Sequence, residues 1–168
     1  MDVSADLEEL ARTSLVVVCA GPKSILDVPR TLEVLETRGV PVVAWQSDEV
    51  AGFLSRSSGR PAPLRAESAE EVAAIVVRQR ELGLSAAVLV TVPLPEDLAL
   101  PSAEVASAVE RATREALATG IHGPATTPWI LSRVAEMTDG RSVRANLALI
   151  ENDAAVGARI ALALVASA

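Results

Sequence analysis

Three uninterrupted apolar runs constrain this chain more than any other feature. Leu15 to Ala20 reads LVVVCA, Val40 to Trp45 reads VPVVAW, and Ala86 to Val92 reads AAVLVTV. A strand with one wet face alternates apolar and polar residues, whereas a strand covered on both faces reads as a continuous run rich in Val, Ile and Leu. Strands of the second kind belong to parallel sheets, whose crossover helices cover both faces.

The segments between the runs have the helical period. Thr31 to Arg38 places Leu32 and Leu35 inward and stops at Gly39. Ser68 and Glu71 form a capping box before Val72, Ile75, Val76 and Leu82. Ser102 to Thr119 carries the stripe Val105, Ala108, Val109, Ala112 and Ala116, closed by Gly120. Thr127-Pro128 reads as an N-cap followed by proline at the first helical position, ahead of Ile130, Val134 and Met137. Ser142 is expected to cap a long last helix with the apolar stripe Val143, Leu147, Ile150, Ala154, Gly157 and Ala161. Ser55 to Ala66 reads as a polar loop. The order strand, helix, strand, helix, strand, then helices, predicts an α/β fold, layered α/β/α around a mostly parallel sheet, in one domain spanning residues 1–168. Three strands make a small sheet, and the first comes so early that sheet partners are expected upstream.

Composition removes several functions. Acids number 22 and bases 15, for a formal charge of −7, and aromatics are 2% of the chain, so no basic stripe or stacking platform for nucleic acid is expected. One cysteine, Cys19, excludes an internal disulfide framework and a cysteine-cluster metal site. It reads as a small apolar filler of the first strand. The single histidine, His122, reads as a loop residue. MDVSADLEEL lacks the basic and apolar regions of a signal peptide, and no apolar run is long enough to span a bilayer. The expected location is the cytoplasm.

Sites of open parallel sheets form beyond the carboxyl ends of the strands. The first run ends in Ala20-Gly21-Pro22-Lys23-Ser24, which puts Lys23 at that edge. A partly desolvated lysine there is available as a nucleophile, and the other reading is a solvated turn residue or a phosphate contact. Lys23 is also the only lysine among fourteen arginines, and arginine cannot form a Schiff base. Asp2, Ser4 and Asp6 are spaced to share a face of an extended segment and could hold a hard divalent cation, but residue order alone favours Ser4 or Asp6 as the cap of a helix over Leu7 to Arg12. Asn146 lies at the edge of the last helix's stripe, with Asp153 seven residues on, and either binds a ligand or bonds a neighbouring loop.

The chain resembles the pseudouridine-5′-phosphate glycosidase, or indigoidine synthase A-like, family. The resemblance is carried by DVSADLEELART (Asp2 to Thr13), VVVCAGPKSILD (Val16 to Asp27), TLEVLETRGVPVV (Thr31 to Val43), TTPWILSRVAEMTDG (Thr126 to Gly140) and SVRANLALIENDAAVGARIA (Ser142 to Ala161). It implies reversible cleavage of the C–C glycosidic bond of pseudouridine 5′-phosphate to uracil and ribose 5-phosphate through a lysine Schiff base. It places the nucleophile at Lys23, a manganese ligand at Asp2, substrate contacts at Ser4, Ala5 and Asp6, and a further contact at Asn146. It also implies a homotrimer. Only the C-terminal half of the family is matched. The preceding half, which supplies a glutamate acid and a second lysine, is expected from a separate polypeptide or is lost by truncation. Ala86, Ala87 and Val92 stand where the family usually has Gly-Gly and Asn. The alternative expectation is an inactive remnant or a sugar-phosphate-binding regulatory domain.

Overall fold

The computed structural model describes residues 4–23 and 27–167. In chain order the elements are α1 (Asp6–Arg12), β1 (Val16–Cys19), α2 (Val28–Thr37), β2 (Val42–Trp45), β3 (Leu64–Ala66), α3 (Ala69–Glu81), β4 (Val88–Thr91), α4 (Ser102–Ala118), a 3₁₀ turn (Gly123–Ala125), α5 (Thr126–Met137) and α6 (Arg141–Ala166). The four strands form one parallel sheet in the order β1-β4-β2-β3, with Val16 opposite Val88 and Val43 opposite both Val90 and Leu64.

Successive strand residues face opposite layers. Val43, Trp45, Val88 and Val90 pack against Val72 and Val76 of α3 and Val156 and Ile160 of α6. Val42, Leu89, Val17 and Cys19 face the other way, against Leu7 of α1 and Leu32 and Leu35 of α2. That is the expected α/β/α layering. A third cluster joins α4, α5 and the start of α6 around Leu94, Leu100, Ile130, Val134 and Leu149. It also takes in Ala20 and Leu54, so these helices are anchored beside the carboxyl end of β1.

The central strands β2 and β4 are buried throughout, as their apolar runs require. β1 is only half-buried, because it is the edge strand and pairs with β4 alone. β3 falls where residue order predicts only loop. It is three residues long with Leu64 and Arg65 exposed, so it has no hydrophobic period to announce it. Its backbone is organised by β2.

The helix starts follow local chemistry. Asp27 caps α2 by accepting from the Arg30 N–H, with Pro29 in the first turn, so this helix begins three residues earlier than its periodicity indicates. Ser68 caps α3 as expected, accepting from the Glu71 N–H at 3.3 Å, while Glu71 reaches back to the Glu67 N–H at 2.8 Å. α5 starts at Thr126 with Ala125 as N-cap, continuing the 3₁₀ turn, so Thr127 is not the cap. α6 starts after Gly140, whose left-handed φ of 72° ends the α5–α6 turn, and Ser142 is buried inside the helix instead of capping it.

Two stripes differ from expectation. On α3, Val72, Ala73 and Val76 are inward, but Leu82 is 76% exposed. On α6, the buried face is Ser142, Ala145, Leu149, Val156, Ile160 and Ala163, whereas Val143, Leu147 and Ile150 are 50–59% exposed. The helix is apolar on more than one side, so its period has two solutions. Packing selects the inner side: Ala145 and Leu149 meet α4 and α5, while Val156, Ile160 and Ala163 meet the sheet and α3. These assignments predict that Leu35→Ala, at a fully buried position, lowers stability by about 2–5 kcal/mol, while Leu82→Ala stays within about 0.5 kcal/mol. Urea unfolding midpoints of the two variants measure the contrast.

Candidate active site at the end of the first strand

A cavity of about 520 Å³ runs along β1 and the turn that follows it. Its apolar wall comes from Leu7 and Leu10 of α1, Leu15 and Val17 of the β1 segment, Leu35 of α2 and Leu149 of α6. The polar groups come from three places. Ser4, Asp6 and Glu9 approach from the start of α1, Lys23 from the turn after β1, and Asp153 from α6. Lys23 is the only cation among the described lining residues, against three carboxylates.

The turn that carries Lys23 is held tightly. Gly21 has φ of +91°, and a Cβ there would sit 2.0 Å from the Ala51 carbonyl oxygen. Only glycine admits both that dihedral and that approach. The Ala20 carbonyl accepts from the Phe53 N–H at 2.8 Å, and the Cys19 carbonyl accepts from the Val92 N–H at 2.8 Å. Phe53 itself has φ of +66°, an uncommon conformation for an aromatic residue, and its side chain lines the cavity. On the neighbouring strand end, Arg56 Nη1 donates to the Leu94 carbonyl at 2.7 Å and Asn152 Nδ2 to the Pro93 carbonyl at 3.2 Å. These bonds fasten α6 and the segment after β2 to the same sheet edge.

Lys23 is exposed, so the partial desolvation suggested by its strand-end position is not found among the described residues. It follows the carboxyl end of β1 and lines the cavity there. Ser4 and Asp6 share that cavity, and they make the local bonds of a helix start. The Asp6 N–H donates to Ser4 Oγ at 3.3 Å, and Ser4 Oγ–H donates to Asp6 Oδ2 at 2.9 Å. Ala5 is the N-cap of α1. Asp2 lies outside the described residues, and among those described no group of three or more His, Cys, Asp and Glu is placed to hold a metal. Asn146 lines a smaller neighbouring cavity of about 100 Å³, with Ser142 and Val143; Phe53 borders both cavities. His122 is an exposed loop residue. Burial pushes the Cys19 thiol up to about 11, which keeps it an unreactive wall residue. Ala86, Ala87 and Val92 are buried core positions at the two ends of β4.

Asp153 is the group that sequence patterning undervalues. Its Oδ1 is buried with no hydrogen-bond partner among the described residues. Burial pushes its carboxyl up to about 6, and a backbone hydrogen bond from Ala20 works in the opposite direction. The only sequence signal is its spacing of seven from Asn146. A carboxyl whose folded value is raised costs stability once it ionises. The cost is absent below the ordinary value near 3.8, grows between about pH 4 and 6, and is full above. Asp153→Asn is therefore expected to stabilise the free protein at pH 8 by about 1–2 kcal/mol, allowing for solvent screening of a half-buried group. The gain should vanish by about pH 3.5, and paired thermal melts at the two pH values test it.

The profile of the family described as indigoidine synthase A like protein matches residues 1–163. The chain belongs to that family. It is 51% identical to a pseudouridine-5′-phosphate glycosidase of Methylobacterium nodulans over 98% of its own length and 49% of the relative's. A second glycosidase of that name, from Paracoccus denitrificans, is 51% identical over 97% of the chain and 54% of the relative. Among solved structures, the prealnumycin C-glycosynthase AlnA in complex with ribulose 5-phosphate superposes with a TM-score of 0.92 at 32% identity, covering 99% of this chain and 55% of that one. An indigoidine synthase A-like protein of Thermotoga maritima gives 0.85 at 38% identity, covering 96% and 53%. The chain thus spans about half the length of the curated relatives it matches. No helix among the described residues is long and apolar enough to cross a membrane.

Proposed function

We propose that this chain carries the sugar-phosphate side of a pseudouridine-5′-phosphate glycosidase site, with Lys23 as nucleophile. The observation that carries the reading is the position of the sole lysine. It stands at the mouth of a cavity beyond a parallel strand, in a chain half-identical to glycosidases of that name. A pentose phosphate is the expected occupant, in line with the ribulose 5-phosphate in the AlnA complex.

The Lys23 amine would bond to the anomeric carbon as the ring oxygen leaves and takes a proton. The nitrogen lone pair then expels the base carbon, which is protonated as uracil departs and leaves an iminium on Lys23. Water adds to that iminium and releases ribose 5-phosphate and the free amine. An amine does this chemistry; a guanidinium does not. Ser4, Ala5, Asp6 and Asn146 are proposed to position the sugar phosphate. The acid that protonates the base is assigned to the half of the family's polypeptide that this chain does not span. The assembly is proposed to be a homo-oligomer in the cytoplasm.

Manganese is proposed at Asp2. The oxygens of Ser4 and Asp6 suit a hard divalent ion that keeps several waters. When bound, the ion would supply positive charge near the sugar phosphate, and no step above runs through it.

The reverse reaction is the test. The chain is incubated with uracil, ribose 5-phosphate and Mn²⁺, alone and with the first half of the Methylobacterium nodulans relative. Formation of pseudouridine 5′-phosphate is expected when that half is present. No product under either condition contradicts the reading, and sugar-phosphate binding without turnover would favour a regulatory domain.

A further inference from the structure

Asp153 is one of the described residues that line the cavity, and its Oδ1 has no assigned role. Three facts about it coincide. It borders the same cavity as Lys23, on the α6 side. Its Oδ1 is out of solvent and meets no donor among the described residues. Ala20, Gly21 and Pro22, the strand end that leads to Lys23, border the cavity together with it. A buried carboxylate oxygen without a partner is costly, and proteins keep such groups where a ligand completes them.

A carboxylate oxygen takes a hydrogen-bond donor or a cation; the cation proposed above is assigned to Asp2, and Lys23 is exposed and not bonded to this oxygen, which leaves a donor on the ligand. The titratable groups that line the cavity with Asp153 are Asp6 and Glu9 from α1, Cys19 on β1 and Lys23 on the following turn. Asp6 is already engaged with Ser4, and Glu9 with Arg12 and Thr13. A phosphate placed against Asp153 would set anion beside anion. A sugar hydroxyl brings a proton and no charge.

We infer that Asp153 is a positioning residue that accepts a hydrogen bond from a hydroxyl of the pentose and so fixes which end of the sugar phosphate faces Lys23. The assignment rests on the sugar-phosphate reading above and deepens it: the hydroxyl-bearing carbons lie on the Asp153 side of the cavity, and the phosphate lies away from it. Asp153 does not touch the bond being broken. It holds the pentose so that the anomeric carbon is presented to the amine.

The test is calorimetric binding of ribose 5-phosphate and of inorganic phosphate to the full chain, for wild type, Asp153→Ala and Asp153→Asn. Expected is at least a tenfold loss of ribose 5-phosphate affinity in Asp153→Ala, with inorganic phosphate changed by less than twofold. Asp153→Asn keeps an acceptor oxygen and should recover the affinity to within about threefold. Thermal melts confirm that each variant is folded. Equal ribose 5-phosphate affinity in all three proteins overturns this assignment alone. An equal loss for inorganic phosphate overturns it too, since that places the phosphate at Asp153. Failure of wild type to bind ribose 5-phosphate overturns both this assignment and the reading beneath it.

Discussion

Lys23→Arg should lose all synthesis of pseudouridine 5′-phosphate while still binding ribose 5-phosphate. Arginine keeps the positive charge at the mouth of the cavity, so an electrostatic role for position 23 would survive the exchange. What it removes is an amine able to lose a proton and form an imine. Lys23 is exposed, and substitutions at exposed sites usually change stability by no more than about 0.5 kcal/mol, so misfolding does not confound the result. Turnover by the Lys23→Arg variant at more than background, measured with the complementing half present, would remove the nucleophile from this position.

The second large effect is structural. Gly21→Ala is expected to lower stability by about 3–4 kcal/mol, combining a left-handed backbone that an L side chain resists with a backbone collision. The new methyl would meet the Ala51 carbonyl oxygen at 2.0 Å, and a carbonyl in the packed segment after β2 cannot swing aside as a flexible side chain does. Gly39→Ala is the control. Gly39 has a positive φ of 70°, but nothing lies within 4 Å of its added Cβ, so dihedral strain of about 1 kcal/mol is all it should cost. Urea midpoints for the pair separate collision from strain. If the two variants unfold alike, the close approach of Gly21 to Ala51 is not what shapes the Lys23 turn.

Much of this architecture is legible in residue order. LVVVCA, VPVVAW and AAVLVTV each contain a parallel strand, and the Ser68 cap and the inward Val105, Ala108, Ala112 and Ala116 of α4 lie where their period puts them. The failures have physical causes. Leu64-Arg65-Ala66 forms a strand because β2 offers it hydrogen bonds, a non-local reason that no short window contains. Periodicity misassigns the inner face of α6 because Val143, Leu147 and Ile150 are as apolar as Ala145, Leu149 and Val156; only the packing against α4, α5, α3 and the sheet chooses between them.

The site shows the same division. Lys23 is visible from a strand end and from composition. Asp153 is not, because a carboxylate on a long helix is ordinary until the fold buries one of its oxygens beside a cavity. Phe53 is likewise invisible, since its wall position depends on a left-handed backbone after β2. The expected clustering of Asn146 with Lys23 is replaced by two adjacent cavities that share Phe53.

The most direct measurement of the central claim is reductive trapping. The chain is mixed with ribose 5-phosphate and borohydride, then digested and mapped by mass spectrometry. Lys23 is the only lysine, so a side-chain imine has one place to form. The account predicts a single pentose-phosphate adduct on the peptide containing Gly21-Pro22-Lys23, lost in Lys23→Arg. A sugar phosphate that binds the chain yet leaves that peptide unmodified would contradict it.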